Sequence, residues 1–154
     1  MTPNEENRHP GPPIADLPPD IRAEIAARAR AEDPNEMCGV IVGERPAPEG
    51  GRALRFEPAT NKAASPYRYE IDPNDLLRLT IATDDADEAF WAIVHSHTHT
   101  PAVPSPTDVE LAFYPDALYL LISLSETERH PTTGAPSVRA WRIVDGEVYE
   151  VNLT

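Results

Sequence analysis

Phe90–His95 is an apolar run that feeds directly into the polar, proline-rich segment HSHTHTPAVPSPTD. An apolar run of that length, cut off by prolines, reads as a buried strand ending in a loop. Alternation along a strand sends residues two apart to the same side, so His95 and His97 point together from the strand's end. The loop then closes on Ser105-Pro106-Thr107-Asp108. Serine at the N-cap, proline at the first helical position and an acid at the third predict a helix start, running to about Phe113. Two imidazoles and a carboxylate are thereby set on either side of one loop long enough to fold back on itself.

The other segments supply the frame. Leu17–Glu32 predicts a helix opened by Pro18 and Pro19, with Ile21, Ile25, Ala26 and Ala29 on one face, and Pro34 ends it. Cys38–Val42, Arg52–Pro58, Tyr67–Ile71 and Ala117–Leu124 predict strands, and Pro73–Thr83 predicts another helix. Val138–Val144 and Glu147–Leu153 flank Asp145-Gly146, the turn pair a tight hairpin prefers. About seven strands and about three helices in mixed order predict an α/β (α+β) sandwich on a mixed, mostly antiparallel sheet. Residues 1–15 hold four prolines and several charges with few large apolar groups, and are expected to be a disordered tail. Residues 16–154 are expected to form one domain, large enough to bury a core.

Composition narrows the function. The formal net charge of −13 repels phosphates and anionic lipids, and no basic patch stands out among twelve arginines and the single Lys62. Neither nucleic acid nor a membrane is an expected partner. No apolar run approaches the roughly 20 residues of a spanning helix, and the first residues lack a signal-peptide pattern, so the expected compartment is cytoplasmic. With Cys38 as the one cysteine, any metal must be held by histidine and carboxylate.

Two histidines and one carboxylate suffice for a catalytic zinc, leaving one tetrahedral position for water. Hydrolysis also needs a base that is not a ligand, and Glu36, just before the apolar strand in NEMCGVIVGE, is the candidate. Ser105 can donate its hydroxyl proton to an oxyanion while its oxygen caps the helix.

The spacing His95-Ser96-His97, seven residues, Ser105, two residues, Asp108 resembles the HxH-x7-S-x2-D motif of the JAMM (MPN+) metalloproteases. Upstream, Glu36-Met37-Cys38-Gly39 with Gly43 resembles the strand bearing that family's glutamate. NKAASPYRYEIDP, ALYLLISL and VRAWRIVDGEVYEV resemble further parts of its small bacterial members, and the resemblance spans about residues 17–153. It implies a cytidine-deaminase-like JAMM fold and one zinc per chain on His95, His97 and Asp108. It also implies Glu36 as general acid/base and Ser105 as oxyanion stabiliser. The implied substrate is the bond after the C-terminal glycine of a ubiquitin-like protein. Among small bacterial members that means a sulfur-carrier protein, from which cysteine or trailing residues are released. The chain departs from the family at Thr98, where proline is common, and His99 continues the alternation, so metal or substrate contact remains open for it.

Rival readings fit less well. A cupin also uses HxH but needs a glutamate about four residues on and a distant histidine. Here the first later glutamate is Glu110 and the only later histidine beyond the loop is His130. A TIM-barrel amidohydrolase needs far more chain. A non-catalytic scaffold on the JAMM fold would have lost the ligand residues that this sequence keeps. Cys38 is expected to be a small buried hydrophobe, and Trp91 and Trp141 core aromatics. Asn61 and Ser65 match the family pattern without an evident task.

Overall fold

The computed structural model describes residues 14–154. In chain order the elements are β1 (Ile14–Ala15), α1 (Pro19–Glu32), β2 (Cys38–Gly43), β3 (Ala53–Ala59), α2 (Pro73–Asp85), β4 (Ala89–His97), α3 (Pro106–Glu110), β5 (Leu118–Ser123), β6 (Ser137–Val144) and β7 (Glu147–Leu153). The strands form one sheet in the order β1-β7-β6-β5-β4-β2-β3. β4 and β5 run parallel, as do β1 and β7, and the remaining four pairings are antiparallel. The mixed, mostly antiparallel α+β architecture expected from the sequence is the one observed, and it leaves no place for a cupin's all-β double sheet.

Two apolar layers, one on each face of the sheet, hold it together. α1 lays Ile21, Ile25 and Ala29 against Ile41, Val94, Leu120 and Ile122 on one face. Leu79 of α2 joins Val40, Ile93, Tyr119, Leu121 and Trp141 on the other. Because both faces are covered, β2 and β5 are buried along their whole length, which is why both read as continuous apolar runs. Parity along β4 follows: Val94 joins the α1 layer and Ile93 the α2 layer, so His95 and His97 lie on the α2 side.

Three expectations need correction. Tyr67–Ile71 is not a strand. Only an isolated bridge, Asn61 to Ile71, forms there, and the segment is held by side-chain hydrogen bonds instead. Ile14 and Ala15, assigned to the tail, pair in parallel with Asn152 and Leu153 of β7, and Ala15 is buried. The rest of the expected tail lies outside the described residues. The helix at Pro106 is also shorter than expected, ending at Glu110. The Asp145-Gly146 turn is as expected, both residues taking the positive φ that a tight hairpin demands.

At Gly39 a Cβ would stand 2.6 Å from the Glu57 carbonyl and 2.7 Å from the Phe56 ring. The carbonyl belongs to the paired β3 backbone and cannot move aside. Gly39→Ala is therefore expected to destabilise the fold by about 1–3 kcal/mol, the usual range for overpacking. Denaturant midpoints would show it, and an unchanged midpoint would mean that β3 yields.

Candidate active site

The antiparallel pairing of β2 with β4 sets Cys38 opposite His95, so the residues entering β2 meet the residues leaving β4 at one end of the sheet. Ser96, between the two histidines, points to the opposite face. Its hydroxyl accepts a hydrogen bond from Met37 N–H at 2.7 Å, and Ser96 N–H donates to the Met37 carbonyl. This clasp fixes Glu36, one residue upstream, against the histidine end of β4. Glu36 N–H donates to the Ser65 carbonyl, and its own carbonyl accepts from Asn61 Nδ2 at 3.0 Å. The Asn61 amide also donates to Arg68 O and accepts from Ala63 and Glu70 N–H, which uses all four of its hydrogen-bonding sites. The tasks of Asn61 and Ser65, not derivable from sequence, are thus to shape this loop and hold the Glu36 backbone.

His95, His97, Asp108, Glu36 and Ser105 come together here. His95 Nε2 and His97 Nε2 are 3.2 Å apart, and Asp108 Oδ2 is 3.2 Å from the first and 3.0 Å from the second. A tetrahedral cation with bonds of about 2.0–2.1 Å spaces its donor atoms about 3.3–3.4 Å apart, close to this triangle. His97 Nδ1 donates to the Pro101 carbonyl at 2.8 Å, which leaves the lone pair of a neutral imidazole at Nε2. Lone pairs of His97 and Asp108 at 3.0 Å repel unless a positive charge lies among them, either a proton or a metal ion. His95 stacks on Tyr69 with ring centroids 4.2 Å apart, a support the sequence did not disclose.

Asp108 is positioned by the helix start foreseen in the sequence. Its N–H donates to Ser105 Oγ at 3.0 Å, and Ser105 N–H donates back to Asp108 Oδ2 at 2.9 Å. The third helical position here holds a carboxylate that serves both cap and site.

A buried Glu36–His95–His97 group, its donor atoms within 4.8 Å of one another, is capable of holding a metal. The two carboxylates nonetheless stand differently. Asp108 touches both imidazoles, whereas Glu36 makes neither a hydrogen bond nor an ion pair with them, and its Oε1 is buried without a partner. Burial pushes the Glu36 carboxyl up to about 8; His97 opposes this and Asp108 adds to it. Burial alone would also raise Asp108, but hydrogen bonds from His95 and His97 outweigh it and hold that carboxyl well below its usual range. Burial lowers His95, while His97, despite its own burial, is raised by Asp108 and the Pro101 carbonyl.

His99 lies past the end of β4, exposed, with Nδ1 2.8 Å from Thr98 Oγ1, and is not part of the metal-capable group. Cys38 is buried, and burial pushes its thiol up to about 12, far from a reactive thiolate.

Residues 18–144 match the family described as prokaryotic homologs of the JAB domain. The chain belongs to this family. The resemblance read from HxH-x7-S-x2-D therefore holds over most of the sequence. A CysO-cysteine peptidase from Mycobacterium tuberculosis is 44% identical over 132 residues, 85% of this chain and 84% of that one. A desampylase from Haloferax volcanii is 35% identical over 112 residues, 70% of this JAB-domain chain and 78% of the relative. The solution structure of protein DSY2949 from Desulfitobacterium hafniense superposes with a TM-score of 0.75 at 32% identity, covering 92% of this chain and 91% of that one. Among the described residues, no helix of this JAB-domain chain is long and apolar enough to cross a membrane.

An acid whose pKa is raised on folding favours the protonated state. Its stabilising effect is full below the unfolded value of 4.5 and is lost as pH rises through about 8. Metal-free Glu36→Gln, which removes this dependence, should gain thermal stability over metal-free wild type as pH rises across that window. The expected advantage is several degrees, given about 2–4 °C per kcal/mol for a chain of this size. A pH-independent difference between the two melting curves would contradict the raised acid.

Proposed function

We propose that this JAB-domain protein is a zinc-dependent peptidase or isopeptidase that hydrolyses the bond after the C-terminal glycine of a ubiquitin-like sulfur-carrier protein, releasing cysteine or a trailing residue. Its main support is the triangle of His95, His97 and Asp108 donor atoms at 3.0–3.2 Å with the unpartnered Glu36 carboxyl beside it. Relatives named CysO-cysteine peptidase, desampylase and, in Thermus thermophilus, probable TtuB-protein conjugate cleaving protease support the substrate class.

In this reading His95, His97 and Asp108 hold the zinc, which when bound supplies Lewis acidity that eases loss of a proton from water and polarises a carbonyl. Glu36 takes the proton from the attacking water. Burial raises this carboxyl in the metal-free site, and a bound cation would oppose that rise, leaving a group able to take the water's proton and pass it to the departing amine. Ser105 caps α3 with its oxygen, and its hydroxyl proton is available to the tetrahedral oxyanion. Ser96, Asn61 and the Pro101 carbonyl orient these groups without touching substrate. The strongly acidic surface favours a carrier with a basic docking face.

Elemental analysis and turnover of a carrier–cysteine fusion separate the roles. Wild type should hold about one zinc per chain. Asp108→Ala and His97→Ala should lose it, whereas Glu36→Ala should keep it and lose turnover by at least about 10²–10⁴-fold. Zinc lost from Glu36→Ala but kept by Asp108→Ala would exchange the two carboxylates' roles. Wild type that takes up no zinc would remove the enzyme reading and leave a scaffold.

A further inference from the structure

On the α1 side of the same sheet end lies a polar cleft of about 540 Å³. Its walls are the two segments that also carry the candidate active site. Asp33, three residues before Glu36, forms one side, and Thr98 and His99, directly after His97, form another. Leu124, also in the wall, donates its N–H to the His97 carbonyl at 2.9 Å. Ser125 N–H donates to Ser123 Oγ, which in turn donates to the Thr100 carbonyl at 2.6 Å. One wall of the cleft thus starts at the residue that follows His97 in the chain.

Arg30, from the last turn of α1, and Arg129, from the loop before β6, both line it. Both are exposed, and among the described residues neither guanidinium group makes a hydrogen bond or ion pair, although Asp33 and Glu126 line the same cleft. Two guanidinium groups without carboxylate partners thus face one space that also holds two acids. The groove on the opposite face is of another kind. It measures about 350 Å³ and is walled mainly by Tyr69, Ile71, Leu76, Ile93, Phe113 and Tyr119.

Resting on the hydrolase reading above, we propose that the polar cleft receives the leaving group, and that Arg30 and Arg129 bind the α-carboxylate of a single departing α-amino acid. Hydrolysis breaks the C–N bond after the carrier's terminal glycine. Water's hydroxyl goes to the carbonyl carbon, and its remaining proton goes through Glu36 to the nitrogen. The released amino acid carries one carboxylate and one ammonium, and the cleft offers both a guanidinium pair and acids to meet them. An extended carrier tail, mainly uncharged near its glycines, suits the apolar groove. A lysine side chain within a folded acceptor protein would bring no carboxylate into this cleft.

The test uses a synthetic peptide ending Gly-Gly-Cys with a free carboxylate, and its C-terminal amide. Binding of each to the zinc-loaded full chain bearing Glu36→Gln is measured by calorimetry. The acid should bind about tenfold more tightly than the amide, as expected for a charge-assisted bidentate contact. Arg30→Ala with Arg129→Ala in the same background should abolish the preference, and Arg129→Lys should retain part of it. Equal affinity for acid and amide in the parent, or a preference that survives in the double variant, would overturn the subsite. Cleavage of neither peptide nor a carrier–cysteine fusion by zinc-loaded wild type would overturn the hydrolase reading instead, while the binding comparison would still decide the cleft.

Discussion

One oxygen atom, Asp108 Oδ2, ties the candidate site to the fold. It lies 3.0 and 3.2 Å from the two imidazole nitrogens and accepts the Ser105 N–H at 2.9 Å. The capping box that starts α3 and the contacts that draw the histidines together therefore share one atom. A five-residue helix is too short to be stable by itself. It persists because its first turn is pinned to the end of β4. Conversely, a buried carboxylate needs this company, since burial without it would neutralise the acid. Asp108 stays charged, and that charge draws a cation, proton or metal, to the point where three donor atoms converge.

Glu36 shows the opposite balance. It is as buried as Asp108, yet no donor satisfies Oε1, and its pKa moves up rather than down. The difference comes from strand pairing. The Ser96–Met37 clasp and the Asn61 amide fix the Glu36 backbone, leaving its side chain free of structural duties. Two carboxylates at one sheet end are thus pushed apart in acidity, one by imidazole neighbours and the other by burial. Groups separated in this way suit distinct roles in acid–base chemistry.

How much of this was legible depended on whether each contact is local in sequence. The parity of His95 and His97 needs only a strand, and the link from Ser105 to Asp108 spans three residues, so both could be read directly. The buried β2 and β5 and the Asp145-Gly146 hairpin were equally plain. Tyr67–Ile71 misled because aromatic and β-branched residues suggest a strand, whereas Asn61 captures backbone groups there that a sheet would have used. Ile14–Ala15 was missed because a two-residue strand has no periodicity and exists only by pairing with the far end of the chain. Ser96, Tyr69 and Pro101 act through the folded surroundings of the histidines, and no spacing in the sequence announces a stacking partner or a carbonyl acceptor. Asn61 and Ser65 were visible as pattern matches but gained a physical role only when the loop closed over Glu36.

The sheet end also imposes a direction. Alternation along β4 turns His95 and His97 toward the α2 face and Ser96 toward the α1 face, so the imidazoles sit on one side and their clasp on the other. Any chain crossing this end passes from an apolar wall built on Tyr69, Ile93 and Tyr119 to a charged one built on Arg30, Asp33, Glu126 and Arg129. Apolar walls reward area and tolerate varied sequence, whereas unpaired guanidinium groups reward a specific anion and gain little from a neutral one. In the proposed reading, a substrate that is apolar before the cut bond and ionised after it has one favoured orientation. Turning it around would desolvate a carboxylate against aromatic rings and leave both arginines unanswered, a double cost that fixes polarity without a lid or an added domain.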